Sequence, residues 1–459
     1  MAVVRYKKIV YMLLILEVLI AAIKAYAETS IKVYEKFNDD SLDLKQPRYL
    51  LPSTNNDMWI LFMTTKNEVS AQPVKTKAKV IFNLDQKGSP SEEVGCVSEG
   101  KLHVVWRNKA ETKTLNFRTL DLSNHQLGEK VIIDQSTEPL TRIKLGCIDS
   151  KINVVWYGEK GDAKGHKYSI YASQSKDGGK TFSQAFEVTP QTRGSLYPTL
   201  ITDEQGNAYV FTEVIYENGQ HEMVFRKTTD KGWEDPVSIG KVGVVSIYIR
   251  PLKVGNRLMV FWFNTYEGVP VTEMAYSDDG GKTWQRHAFE ATRYIDLTGM
   301  QAVAGDDQHV YLALSGVNIK NKDDDPRKQK DELFFFYSHD GGKTFSGPVS
   351  IRHDQFGHYT RAHLPNIVAK GKNVVVVWND YRNIRANLYM NYSADGGITW
   401  QSKDFPLEEP GKFNTVLHWD VNNLIEHGGM YHILAHRFKN DAMDAAYPVV
   451  ISFKFKIQK

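Results

Sequence analysis

Three observations predict an all-β fold for this chain, a single β-propeller of four-stranded antiparallel blades. One eight-residue turn pattern occurs four times between positions 175 and 400. Apolar, β-branched runs return about every 45 to 65 residues along the chain. The composition, with 33 Gly, 16 Pro, 23 Tyr, 21 Phe and 9 Trp in 459 residues, suits strands and turns rather than helices. With 42% hydrophobic residues, and 57 Lys+Arg against 54 Asp+Glu, the chain can bury a core and carries too little net charge for disorder. The same balance speaks against nucleic acid or an anionic membrane as a partner.

The first 27 residues read as an address. Arg5, Lys7 and Lys8 precede an apolar run, which ends in Ala25-Tyr26-Ala27. That order is the pattern of a secretory signal peptide, with cleavage expected after Ala27. The run is short for a spanning helix and contains Glu17. Residues 28–459 are then expected to form one domain, secreted or periplasmic, monomeric, with no membrane span. Cleavage removes the whole net charge and leaves 53 charges of each sign.

The apolar runs fall at 58–63, 102–106, 152–156, 208–212, 258–262, 309–314, 373–378 and 430–435. Each is preceded by a short strand ending in a tight turn and followed by two further strand-like stretches. Four strands per repeat make a propeller blade. Eight runs give eight blades of about 54 residues, with seven as the alternative if the first unit is irregular. The last repeat owns only three strands, while 31–37 is an unassigned strand at the other end. We expect it to complete the final blade and close the ring, hiding two sheet edges.

The turn pattern is Ser-x-Asp-x-Gly-x-Thr-aromatic. Its copies run from Ser175 to Phe182, Ser277 to Trp284, Ser338 to Phe345 and Ser393 to Trp400, with a worn fifth copy at Thr228, Asp230 and Trp233. A short Asp side chain accepts hydrogen bonds across a reversal, and glycine permits the positive φ that a tight turn needs. Asp177, Asp230, Asp279, Asp340 and Asp395 are therefore expected to be structural, each aromatic packing its hairpin onto its own sheet. Calcium at these turns is disfavoured, because the later bidentate Glu of a helix–loop–helix site is missing. No metal or other cofactor is expected.

The pattern resembles the Asp-box of the sialidase-like, or BNR-repeat, propeller families. That resemblance implies blades carrying the box between their third and fourth strands. It also implies a functional site on the opposite face, where chains enter each innermost strand and where second and third strands connect. On that face Arg48, Arg142, Arg193, Arg250, Arg293 and Arg361 each precede or begin an innermost strand. Such a set suits bidentate capture of carboxylate, sulfate or phosphate. Arg382 joins them at the rim with Asp380, Tyr381, His436 and Arg437. Trp106, Trp156, Trp262 and Trp378 end second strands there, where they stack on sugars or, more commonly, pack between blades. Glu159, Asp162, His166, Tyr266 and Glu267 also lie in these loops, and Asp323, Asp324 and Asp325 occupy the longest insertion.

Catalytic sialidases use an arginine triad, a Tyr–Glu nucleophile pair and an Asp acid/base. Here the early Arg-Ile-Pro is absent, six blades fit poorly, and no motif fixes Arg250 or Arg361 in a triad. Tyr266 with Glu267, or Tyr381 beside Asp380, are weak nucleophile candidates, since neighbouring strand residues point opposite ways. Three readings follow. The first is binding of an anionic glycan or protein ligand, the second a hydrolase or lyase acting on acidic sugars, and the third a scaffold or assembly factor. Cys96 and Cys147 occupy matching positions one repeat apart and are expected to be free buried thiols, with a disulfide as the alternative.

Overall fold

The computed structural model of the chain describes residues 31–38, 44–53, 57–76, 78–83, 89–109, 114–135, 138–162, 165–189, 194–229, 231–243, 248–265, 270–297, 301–321, 325, 330–353, 361–418, 421–439 and 442–455. The expected signal peptide lies outside these residues. No described helix is long and apolar enough to cross a membrane. Only strands and two short 3-10 helices are present among the described residues, and the strands form an eight-bladed propeller. Blades 1 to 7 span 44–81, 89–134, 138–187, 194–242, 250–288, 295–350 and 362–406. Blade 8 comprises Leu424–His427, Met430–Lys439, Ala442–Phe455 and, as its outermost strand, Ile31–Asn38.

That last strand closes the ring as expected. Ile31 pairs with Phe455, Tyr34 with Ser452 and Asn38 with Val449, antiparallel. Arg437, only 2% exposed, donates to Glu35 Oε2 at 2.6 Å and to Glu408 Oε2 at 3.2 Å. It thereby ties the N-terminal strand to both its own blade and the connection before it. Arg437 is a closure residue within the protein rather than part of an open rim.

The continuous apolar runs have a simple cause. A blade's second strand is covered on both faces, so both sets of alternating side chains must be apolar. In blade 7, Val374, Val376 and Trp378 pack on blade 6, while Val375 and Val377 pack on blade 8. Among the described residues, eight such clusters fill the eight joints between neighbouring blades. Trp106, Trp156, Trp262 and Trp378 are fully buried in these joints, each against the preceding blade. They are not sugar platforms.

The four intact boxes repeat one geometry. In the second, Ser277 Oγ donates to Asp279 Oδ1 at 2.7 Å and accepts from the Gly281 amide at 2.8 Å. Thr283 donates its amide to Oδ1 at 2.9 Å and its hydroxyl to Oδ2 at 2.6 Å. Both carboxylate oxygens are thus held by the turn itself, and no described cluster of acids or histidines is placed to hold a metal ion. Asp177, Asp340 and Asp395 make the same contacts, and Asp230 lies outside the described residues.

The aromatic partner departs from expectation. Phe182 meets Phe117, Trp284 meets Phe225, and Trp400 meets Phe335, at ring separations of 4.9, 5.1 and 4.7 Å. Each partner belongs to the preceding blade, so the box clips two blades together rather than packing on its own sheet. Gly397 shows why the last glycine of the box is needed. Its φ is +89°, and an added Cβ would lie 2.2 Å from Phe335 Cε1. We predict that Gly397→Ala costs roughly 2 to 4 kcal/mol, from strain plus collision. Gly371→Ala, with φ +58° but nothing within 4 Å, should cost about 1 kcal/mol. Urea unfolding of the two variants measures the difference.

Cys96 and Cys147 are bonded to each other, contrary to the free-thiol expectation, with Cα atoms 6.1 Å apart. Neighbouring innermost strands converge enough at this joint to bring matching positions within bridging range. The bond closes a loop across 51 residues, which removes roughly 4 kcal/mol of unfolded-chain entropy in the loop-closure description.

Candidate functional site

The two faces of the ring differ in kind. On the box face the connections are tight turns; the Gly396 amide of the box, for example, donates to the Lys372 carbonyl in the same blade's first hairpin. On the opposite face, which we call the mouth, the innermost strands of blades 1, 2, 3, 4 and 7 carry an irregularity near their starts. In three of them a bulky residue takes positive φ: Arg142 at +63°, Tyr197 at +54° and Leu364 at +55°. Such backbone is costly for these residue types, and bulges re-aim side chains where they occur.

The arginines divide by environment. Arg48 lies in the innermost strand of blade 1, but its side chain is outside the described residues, as is the whole of Arg193. Arg142 stands over the Tyr197 ring at 5.3 Å. Arg250 begins the innermost strand of blade 5 and donates from Nε to the Gln301 carbonyl at 3.1 Å. Arg293 sits in a short 3-10 helix and pairs with Glu290 at 2.6 Å. Arg361 is exposed at the entrance to blade 7. The set is therefore distributed around the mouth, not gathered at one point.

Arg382 differs from the others because it is buried and neutralised. Its Nη2 donates to Asp380 Oδ2 and Asp404 Oδ2, both at 2.7 Å, and its guanidinium lies over the Tyr389 ring at 4.3 Å. Arg352 grips Asp380 from blade 6 at 3.0 and 3.3 Å, and Trp378 Nε1 donates to the same carboxylate at 2.9 Å. Burial pushes the Asp380 carboxyl up, yet Arg382 and Arg352 together hold it at about 2. Asp404 is raised, because burial outweighs the one guanidinium it shares. This quartet locks blade 6 to blade 7 and leaves neither Asp380 nor Arg382 in the form of an open site.

Beside the quartet lies a second group, in which Asp331 is buried and His363 and Tyr381 are half-buried. Tyr381 and His363 lie edge to face with ring centroids 6.0 Å apart. Asp331 of blade 6 faces His363 Nε2 at 3.4 Å. The Tyr381 amide donates to the Arg361 carbonyl at 2.9 Å, so the bulged start of blade 7 is stitched to the end of its second strand. Burial pushes the Tyr381 phenol up, and the Arg361 charge partly offsets this. An exposed guanidinium, an imidazole aligned by a carboxylate and a phenol kept protonated are thereby adjacent. They can neutralise an acid, accept a proton and donate one.

The opposite wall of the ring is aromatic. Tyr157 and Tyr168 stack at 5.9 Å, and Tyr168 is 41% exposed. Burial, with Tyr168, Tyr197 and Glu159 nearby, pushes the Tyr157 phenol up to about 12. An eight-bladed ring sets blade 3 across the axis from blade 7, so this wall faces the Arg361 group over the mouth. Blade 4 adds the dyad of Glu213, fully buried, and His221, joined at 2.5 Å. Neither the tyrosine wall nor the His363–Asp331 contact was visible in the sequence as a set, since the first forms across two strands of blade 3 and the second across two blades. Of the other rim candidates, His436 is buried with its imidazole lowered to about 4, and Glu159 is half-buried. Tyr266, Glu267, Asp323 and Asp324 lie outside the described residues, as do the side chains of Asp162 and His166; Asp325 is half-buried.

A cavity of about 580 Å³ lies elsewhere, on the box face between blades 2 and 3. It is lined by exposed Lys101, Lys180, Asn124 and Gln126 and shares no residue with the mouth. The mouth is the candidate site because proton-transfer groups shifted by burial and charge lie beside one another there.

Comparison with known proteins agrees with this architecture. The BNR/Asp-box repeat family matches residues 275–286, the second intact box. The polysaccharide lyase Uly1 superposes with a TM-score of 0.50 at 11% identity, over 81% of this chain and 91% of that one. In fold the chain is a β-propeller with Asp-box repeats. An ulvan lyase of the family named PL25 aligns with this propeller at TM-score 0.47 and 12% identity, covering 77% and 90%. The Hadza microbial sialidase Hz136 aligns at 0.38 and 12%, covering 78% and 75%. No protein with a curated description matches the propeller in sequence.

The boxes give this fold a defined acid limit. At Asp340, burial raises the carboxyl, but hydrogen bonds from Thr344 and Ser338 hold it at about 2. A carboxyl lowered on folding stabilises above its unfolded value near 3.8 and loses that contribution as pH falls toward about 2. Stability is thus expected to fall between about pH 4 and pH 2. Asp340→Asn, measured by thermal unfolding against pH, should be less stable at neutral pH and less steep in acid.

Proposed function

We propose that this protein binds an acidic polysaccharide across the mouth of the propeller, outside the cytoplasm, and cleaves it by β-elimination. The single observation that carries this reading is the adjacency of Arg361, His363 and Tyr381. Elimination next to a uronate needs three things: a cation on the carboxylate to acidify the neighbouring carbon, a base for that carbon's proton, and an acid for the departing glycosidic oxygen. Arg361 suits the first role. Asp331 favours the proton on Nε2 of His363, the tautomer in which Nδ1 is the basic nitrogen. Tyr381, its phenol raised by burial, remains a proton donor at neutral pH.

Two-carboxylate hydrolysis fits less well. It needs a pair of carboxylates about 5 to 9 Å apart and open to substrate, whereas Asp380, Asp404 and Glu408 are each tied to a buried guanidinium. The tyrosine wall opposite supports binding of a sugar chain by stacking. The disulfide supports residence in an oxidising compartment, in line with the expected signal peptide.

The test is incubation of the mature protein with a panel of uronate-containing and sulfated polysaccharides. The ultraviolet absorbance of the new carbon–carbon double bond is followed. Absorbance that grows with the wild-type protein and falls at least tenfold with Arg361→Ala is the expected result. Binding to the polymer without any double bond would favour a binding module. Reducing ends released without absorbance would favour hydrolysis.

A further inference from the structure

The box-face cavity between blades 2 and 3 opens where other joints are bridged. In three joints a side chain of the preceding blade crosses to the first glycine of the next blade's box. Lys227 Nζ donates to the Gly280 carbonyl at 2.7 Å, Arg257 Nη1 to the Gly341 carbonyl at 3.1 Å, and His339 Nε2 to the Gly396 carbonyl at 2.9 Å. The box of blade 3 departs from this rule. Its first glycine, Gly178, donates its amide to the Ser150 carbonyl at 2.9 Å. Its own carbonyl accepts no hydrogen bond among the described residues.

The register explains the gap. The second box glycine lies against an aromatic ring of the preceding blade, Gly179 against Phe117 and Gly281 against Phe225. Two positions after those rings stand Thr119 and Lys227, so Thr119 is the counterpart of the bridging lysine. Thr119 Oγ1 lies 3.3 Å from His103 Nδ1 and stays within its own blade. Where blade 4 sends a lysine across, blade 2 leaves a pocket lined by Thr119 and Gly178.

The chemistry of the pocket selects a ligand class. Its volume of about 580 Å³ falls among those of small-molecule sites. Phe117, Leu127 and Val131 give it an apolar part. The ammonium groups of Lys101 and Lys180 are matched by the carboxylates of Asp121 and Glu129, and Asn124 and Gln126 add amides. This balance favours neither sign of charge, since an anion meets the carboxylates and a cation meets the ammonium groups. A hydrocarbon would strip water from these polar groups without replacing its hydrogen bonds. A neutral polyhydroxy ligand fits, because each hydroxyl both donates and accepts. A sugar also offers C–H faces to the apolar part.

We propose that this pocket binds a neutral saccharide, one hydroxyl of which donates to the Gly178 carbonyl. That hydroxyl takes the place held by Lys227, Arg257 and His339 at the other joints. The site lies on the face away from the mouth and stands independently of the elimination reading.

The test is calorimetric titration of the mature protein with the methyl glycosides of glucose, galactose and mannose. Glucosamine and glucuronate serve as charged comparators. At least one neutral glycoside is expected to bind with a Kd of about millimolar order, more tightly than either charged sugar. Thr119→Lys supplies the side chain that blade 4 uses, and should weaken that binding about tenfold or more while the thermal midpoint holds. Should the lysine variant unfold, the double change Gln126→Ala with Lys180→Ala carries the test. Both side chains are exposed and have no side-chain partner among the described residues, and their loss should weaken binding about fivefold or more. No binding by any neutral glycoside, tighter binding of a charged sugar, or affinity unchanged in these variants overturns the proposal. Binding lost in Arg361→Ala but kept in Thr119→Lys would put the sugar at the mouth and overturn it as well.

Discussion

Asp380→Ala is expected to destabilise the propeller by about 3 to 5 kcal/mol, the usual cost of stranding a buried charge. Asp380 is fully buried and receives both Arg352 and Arg382, whose side chains are 2% and 7% exposed. With four charges the quartet is neutral, since Asp404 supplies the second carboxylate. Removing Asp380 leaves two guanidinium groups sharing one acid in the joint between blades 6 and 7. Trp378 Nε1 loses its acceptor at the same time. The double change Asp380→Leu with Arg352→Met keeps the Arg382–Asp404 pair and restores neutrality. It should therefore cost clearly less than the two single changes added together. Urea midpoints for the three variants make the comparison; a single-variant loss below about 1 kcal/mol would show that water or relaxation compensates the charge.

The same quartet explains what sequence reading reached and what it missed. Blade number was readable because a two-sided strand must be apolar throughout, as 373–378 is. The boxes were readable because Ser, Asp, Gly and Thr contact one another within eight positions. The closing role of 31–38 followed from counting, since the final repeat lacked a strand. In contrast, Arg361 and Arg382 looked alike at one rim. Only the path of the chain brings Asp404, 22 positions later, onto Arg382. Asp331 meets His363 from a different blade, and Cys96 meets Cys147 through the inward convergence of two strands. Local patterns were visible because their contacts are local; the site was not, because its contacts join different strands of blade 7 and, through Asp331, a second blade. The box aromatics failed for the same reason, as Trp400 reaches past its own sheet to Phe335.

Tyr381→Phe is the most informative change at the site itself. It keeps the ring that packs edge to face with His363 and removes only the hydroxyl. Stability should hold within about 0.5 kcal/mol. If the phenol donates the proton to the leaving oxygen, kcat should fall about 10²- to 10⁴-fold with little change in KM. His363→Ala removes the base and should lower kcat by a similar factor, whereas Arg361→Ala should raise KM as well, because the carboxylate is held before and during reaction. Since burial raises the Tyr381 phenol, the alkaline fall in wild-type activity should lie above the ordinary tyrosine range. In Tyr381→Phe that alkaline limb should vanish along with the rate. Full activity in Tyr381→Phe would remove the phenol from the chemistry. Loss of KM alone would make the residue a platform for the sugar. The pH profile matters more than the rate, because a packing defect slows turnover without moving a limb.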